Sequence, residues 1–215
     1  MIKIIPTIFS ENKKEFNEKF EKVFDLSDKI QIDFMDGKFV SSKSIKLDEV
    51  SDLSNYKGKE FEAHIMVLHP EKWIERLKKK GFKKVIFHYE AVDENEIADL
   101  INKIKGLKMR AFIALNPETE ISKINDFMGV LDGVLFMGVN PGKEGQKFIE
   151  RIYDKIKNLR KMNKDLDIEV DGGINSGNIR KVFMAGANLI NSGSFLSKSD
   201  NPKESLKILF KAIKI

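Results

Sequence analysis

Two aspartates, a histidine and three methionines stand near the ends of short apolar runs: Asp33 and Met35 in QIDFMDGKFV, His64 and Met66 in AHIMV, Met137 in GVLFMGV and Asp171 in IEVDGG. Inverting a carbon next to a carbonyl requires removing a proton on one face and delivering one on the other. Two acid/base groups flanking the substrate suit that task, and Asp33 and Asp171 are the candidates. The plain alternative is a pair of solvated loop aspartates, which the apolar surroundings of Asp171 argue against. Taken alone, His64 reads as a satisfied core histidine; beside two carboxylates it becomes a candidate metal ligand. Methionines ordinarily fill cores, but Met35, Met66 and Met137 around one mouth would make an apolar wall that keeps water from an enediolate. Asp36 reads as a turn residue bonding to neighbouring backbone. His69 in LHP reads as the start of a helix or turn, and His88 in IFHYEA as structural or functional with equal weight.

Glycines gather after two further runs. DGG (Gly172, Gly173) and SGS (Gly193, Ser194) put bare backbone N–H groups at the starts of following helical segments, a site for a phosphate. Either alone reads equally well as a tight turn; both in adjacent loops favour phosphate. NPGKEGQ, with Gly142, Lys143, Glu144 and Gly145, supplies a third loop that would close over a ligand. Ser10 ends the first run.

These residues need elements to aim them. Eight runs rich in Ile, Val and Phe recur: IKIIPTIF, KIQIDFM, FEAHIMV, KKVIFHYE, MRAFIALN, GVLFMGV, DIEVDGG and NLINSGS. Most precede a stretch with helical spacing, such as Ile97, Leu100, Ile101 and Ile104, or Phe148, Ile152, Ile156 and Leu159. Near-continuous apolar strands alternating with helices imply a parallel sheet covered on both faces. Eight units predict a single-domain TIM (β/α)8 barrel over residues 1–215, with a doubly wound open sheet as the alternative. In such a barrel the strand ends and the loops after them form one rim, which is where the candidate residues fall. The second unit, SSKSIKLDEVSDLSNYKGKE, has poor periodicity and reads as a longer loop with a short helix.

With 41% hydrophobic residues in 215, the chain has enough apolar surface for one sizeable core. The net charge of +5 is spread without a clustered basic stretch, which argues against a nucleic-acid or membrane surface and suits a small anionic substrate. The lack of cysteine excludes disulfides, thiolate metal sites and thiol nucleophiles. MIKIIPTIFS lacks the features of a signal peptide, and no apolar run is long enough to cross a bilayer, so a soluble cytoplasmic protein is expected.

The ordered motifs PTIFS, DFMDGKFV, AHIMV, IFHYEA, LNPET, MGVNPGKEGQKF, EVDGGIN and GANLINSGS resemble ribulose-phosphate 3-epimerase over essentially the whole chain. The resemblance implies a barrel that interconverts D-ribulose 5-phosphate and D-xylulose 5-phosphate by 1,1-proton transfer at C3, acting as a homo-oligomer. It implies that Asp33 and Asp171 are the acid/base pair and, with His64, hold a divalent metal: zinc, iron, manganese or cobalt. It further implies that Ser10 and His64 meet the substrate, that Gly142, Lys143, Glu144, Gly145, Gly172, Gly173, Gly193 and Ser194 hold the phosphorylated sugar, and that the three methionines cap the enediolate.

Three departures are local to the site. Where the family has H-x-D, with the histidine a fourth metal ligand, this chain has Gln31, whose neutral oxygen would be a weaker ligand and would lower affinity or shift metal preference. P-G-F-G-G-Q is PGKEGQ here, and FVPN is FVSS at Ser41 and Ser42. These changes leave two alternatives open: a 3-epimerase of a hexulose 6-phosphate, or a non-catalytic sugar-phosphate-binding paralogue. Orotidine-phosphate decarboxylases and hexulose-phosphate synthases share such a barrel but rely on D-x-K-x-x-D, whereas DFMD has no lysine between its acids.

Overall fold

The computed structural model describes residues 2–214. Eight parallel strands close a barrel in chain order: β1 (Lys3–Ile8), β2 (Lys29–Met35), β3 (Glu60–Met66), β4 (Lys84–His88), β5 (Arg110–Leu115), β6 (Gly133–Met137), β7 (Asp167–Asp171) and β8 (Leu189–Ser192). Closure comes from β8 pairing with β1, from Lys3 opposite Leu189 to Pro6 opposite Ser192. That pairing rules out the open-sheet alternative.

Side chains alternate across each strand, so every strand serves two cores. The outward set, including Ile30, Phe34, Phe61, Phe87 and Phe136, packs with helix residues such as Ile97, Ile101 and Ile104 into the outer layer. The inward set is mixed. Ile5, Ile86, Phe112, Ala114, Leu135, Met137 and Leu189 form one apolar cluster, while Gln31, Glu62, His64, Lys84, Glu169 and Asn191 are buried polar residues. Glu62 and Glu169 precede His64 and Asp171 by two residues, which places them on the same inner face one layer below the rim. Lys84 Nζ lies 2.5 Å from a carboxylate oxygen of each and 4.2 Å from the Phe112 ring centroid. Burial disfavours the lysine's charge, but Glu169 and Glu62 outweigh it and raise its pKa. Burial pushes the Glu169 carboxyl up to about 7, against the pull of Lys84.

The helices are α1 (Lys13–Phe24), α2 (Ile74–Lys79), α3 (Ile97–Gly106), α4 (Ile152–Met162), α5 (Ile179–Ala185), α6 (Ser194–Ser197) and α7 (Pro202–Lys214). Among the described residues no α-helix separates β2 from β3, or β5 from β6. The weak second unit instead folds into 3-10 turns at Leu47–Glu49 and Leu53–Asn55, and the fifth carries a 3-10 segment, Ile121–Phe127. The spacing accounts for the one in the fifth unit: Ile121 and Ile124 are buried three apart within one 3-10 segment, whereas Leu47 and Leu53 sit in separate turns with Val50 in extended backbone between them. A repeat of three aligns one face of a 3-10 helix and drifts around an α-helix. No helix of the described residues is long and apolar enough to cross a membrane.

Candidate active site

Strand register assembles the rim in pairs. Asp33 lies opposite His64 and Met35 opposite Met66 across β2 and β3, and Met137 lies opposite Asp171 across β6 and β7. Barrel curvature then brings β2, β3 and β7 together. One ligand atom from each of Asp33, His64 and Asp171 lies within 4.8 Å of the others, and His64 Nδ1 is 3.2 Å from Asp33 Oδ1 and 3.5 Å from Asp171 Oδ2. All three residues are buried. Burial, aided by the charge of Asp171, pushes the Asp33 carboxyl up to about 6 against the hydrogen bonds of His64 and Gln31. Burial works against a charged His64, but Asp171 and Asp33 prevail and raise it to about 9.

These three residues fit a divalent ion. Ligand atoms about 2.1 Å from a tetrahedral ion stand about 3.4 Å apart, close to the separations His64 Nδ1 makes with the two carboxylates. One imidazole nitrogen and two carboxylates form a donor set that accepts zinc, iron, manganese or cobalt. Gln31 does not join them as the sequence suggests. Its Nε2 donates to Asp33 Oδ1 at 2.9 Å and to Asp171 Oδ2 at 2.6 Å, while its Oε1 accepts from Asn191 Nδ2 at 2.6 Å. The oxygen expected to be a weak ligand is therefore turned away, held by Asn191.

His88, which the sequence left undecided, belongs to the site. Its Nε2 is 3.0 Å from His64 Nε2, the two rings lie 22° from parallel, and its Nδ1 is 3.4 Å from Glu90 Oε2. Burial lowers the pKa of His88, and the neighbouring charge of His64 adds to that. A neutral His88 that donates from Nδ1 to Glu90 has a lone pair at Nε2 for the His64 Nε2–H, which leaves His64 Nδ1 to face the acids. The adjacent H-Y-E at the end of β4 was the available signal.

Above these groups opens a cleft lined by Asp33, His64, Asp171, Met35, Met66 and Met137 together with the glycine loops. Gly142, Lys143, Glu144, Gly145, Gly172, Gly173, Gly193 and Ser194 all line it, as do Thr7, Phe9 and Asn191. Gln146 Nε2 ties the sixth loop by donating to the carbonyls of Asn140 (2.6 Å) and Lys143 (2.9 Å). Glu144 Oε2 pairs with Lys198 at 3.0 Å and Lys19 at 3.6 Å. No local sequence signal marks these two lysines, because the loop and the barrel bring them together from distant stretches.

Several expectations need correction. Ser10 stands two residues beyond β1, fully buried and outside the cleft lining, with its carbonyl accepting the Ile45 N–H at 2.8 Å and its Oγ left without a partner among the described residues, while Thr7 lines the cleft. Ser41 and Ser42 also lie outside the lining. Gly172 and Gly173 do not open a helix, since α5 begins only at Ile179; they adopt left-handed backbone with φ of 101° and 69°. Gly193 does precede α6 directly. His69 precedes a 3-10 turn as expected, and Asp36 accepts the N–H groups of Lys38, Phe39 and Leu68, as its turn role requires.

Comparison with solved structures supports the fold: a 3-hexulose-6-phosphate synthase superposes with a TM-score of 0.74 at 16% identity, covering 99% of this chain and 100% of that one. At that identity the likeness concerns the barrel alone. Sequence relatives are nearer. The chain is 36% identical to ribulose-phosphate 3-epimerase of Schizosaccharomyces pombe across 83% of this chain and 78% of that protein. It is 34% identical to ribulose-phosphate 3-epimerase of Bacillus subtilis across 96% of this chain and 97% of that protein. The family model described as the ribulose-phosphate 3 epimerase family matches residues 3–197. The chain thus belongs to the ribulose-phosphate 3-epimerase family and is an isomerase of the epimerase class.

Proposed function

We propose that this chain interconverts D-ribulose 5-phosphate and D-xylulose 5-phosphate in the cytosol by proton exchange at C3. The observation that carries this reading is the buried Asp33–Asp171 pair, converging from opposite strands at the floor of a cleft walled by three methionines. One aspartate takes the C3 proton, the electron pair moves toward the C2 carbonyl oxygen, and the other aspartate returns a proton to the opposite face of C3. A carboxyl at about 6 is matched to give and take a proton near neutral pH. Met35, Met66 and Met137 keep water from quenching the planar intermediate. Backbone N–H groups around Gly172, Gly173, Gly193 and Ser194 receive the phosphate, and the Gly142–Gly145 loop covers it. Asp33, His64 and Asp171 would hold a divalent ion, which when bound would supply Lewis-acid polarisation of the sugar carbonyl.

A second reading, turnover of a hexulose 6-phosphate, is favoured by one feature: Lys143 and Glu144, which replace the aromatic residue and glycine of the family pattern, line the cleft. The test is conversion of D-ribulose 5-phosphate by chelated protein and after return of zinc, iron, manganese or cobalt. Restored turnover that falls about 10²- to 10⁴-fold in Asp33→Asn and Asp171→Asn is the expected result. Binding of ribulose 5-phosphate without turnover under any metal would overturn it and direct the assay to hexulose 6-phosphates.

A further inference from the structure

Gln31 and Asn191 form a buried amide pair whose orientation is dictated by chemistry. The Asp33 and Asp171 oxygens facing Gln31 accept hydrogen bonds when ionised, so the Gln31 nitrogen must face them, at 2.9 and 2.6 Å. Its oxygen must then face Asn191, which has to present its own nitrogen, at 2.6 Å. Both side chains are almost wholly buried. For Gln31 to ligate an ion, its oxygen must turn toward the acids. Its nitrogen would then meet the Asn191 nitrogen, donor against donor, unless both amides turn together.

We propose that the Gln31–Asn191 pair is a built-in neutral substitute for a cation: Gln31 bridges the two aspartates as a double donor, and Asn191 is the positioning residue that holds it there and thereby sets the affinity of the site for a divalent ion. This rests on the reading that Asp33, His64 and Asp171 take such an ion. The bridge lowers the electrostatic cost of two neighbouring buried carboxylates without metal, and an entering ion must displace it. Asn191 contributes no ligand, yet it decides which end of Gln31 the ion meets.

The experiment pairs two readouts on metal-free protein: Mn²⁺ affinity from the paramagnetic resonance of free Mn²⁺, and side-chain amide signals of Gln31 by NMR. Asn191→Leu should tighten Mn²⁺ binding about fivefold, the equivalent of one neutral hydrogen bond, and should have no effect in a Gln31→Leu background. Gln31→His should tighten it further. The Gln31 amide protons should be protected from exchange and should shift in both Asn191→Leu and Asp33→Asn. Equal effects of Asn191→Leu in both backgrounds, weaker binding, or a freely exchanging Gln31 amide would each overturn the proposal. Asn191→Val replaces Asn191→Leu if the latter does not fold. If no variant, Gln31→His included, takes up Mn²⁺ or Zn²⁺, the metal reading fails together with the affinity claim, and the amide signals alone decide whether the bridge exists.

Discussion

His64 can offer a lone pair to an ion only through Nδ1, because its Nε2 is committed to His88 at 3.0 Å. His88 is oriented in turn by Glu90, which also accepts the Asn116 N–H at 2.9 Å and the Thr119 hydroxyl. Burial raises the Glu90 pKa, but His88, Thr119 and Asn116 together hold the carboxyl below its usual range, so it stays an acceptor. Replacing His88 by Phe keeps an aromatic ring and removes the acceptor for His64 Nε2–H. The expected outcome is a 10- to 100-fold loss of Zn²⁺ affinity, measured by competition with a chromophoric chelator, with the fold intact by circular dichroism. Unchanged affinity would mean that packing alone orients His64. At this scale the sequence was informative about residue type and less so about partners: Asp33, His64 and Asp171 stood out, whereas Asn191 lies inside an ordinary strand run and gave no sign of its contact with Gln31.

At the scale of elements, the loops that frame the cleft depend on backbone conformations few residues adopt. Gly173 has φ of 69°, and a Cβ there would lie 2.9 Å from the backbone nitrogen of Phe148. Gly173→Ala therefore carries both left-handed strain and a clash with backbone that has no flexible end to move. A loss of about 1 to 3 kcal/mol in stability is expected from urea unfolding, together with a rise in KM for the sugar phosphate larger than any fall in kcat. The DGG signal marked a glycine loop at the cleft, although its expected place at a helix start was wrong, because five residues, 174–178, intervene before α5. The 3-10 segment Ile121–Phe127 escaped notice because spacing of three over so few residues resembles spacing of three and four.

In the molecule as a whole, the barrel interior holds charges whose value depends on being complete. Lys84 neutralises Glu62 and Glu169 with almost no solvent to help. Lys84→Met leaves two buried carboxylates facing each other, and a loss of about 3 to 5 kcal/mol is expected from thermal or urea unfolding. Nearby, on β7, burial works to raise the Asp167 pKa, but Arg110 and Asn188 outweigh it and hold the carboxyl below its reference of 3.8. A depressed folded pKa contributes stability above pH 3.8 that is lost as pH falls through the folded value. Urea unfolding of Asp167→Asn at about pH 5 and about pH 3 should therefore show a smaller loss on acidification than the original chain. An equal loss would place the acid sensitivity in other carboxylates.

What the sequence by itself determined was the count of strands, the rim on which chemistry gathers and the types of group found there, because strand periodicity and loop composition are local properties written in consecutive residues. The family was legible for the same reason, through motifs that sit at strand ends. What only the tertiary structure decided was which atoms meet. Gln31 and Asn191 are 160 positions apart, and Gln31 and Asp171 are 140; closure of the barrel makes them neighbours. It also fixes which end of an amide faces two acids, because buried donors and acceptors must be matched where water cannot reach. That matching turned Gln31 from an expected oxygen ligand into a nitrogen donor.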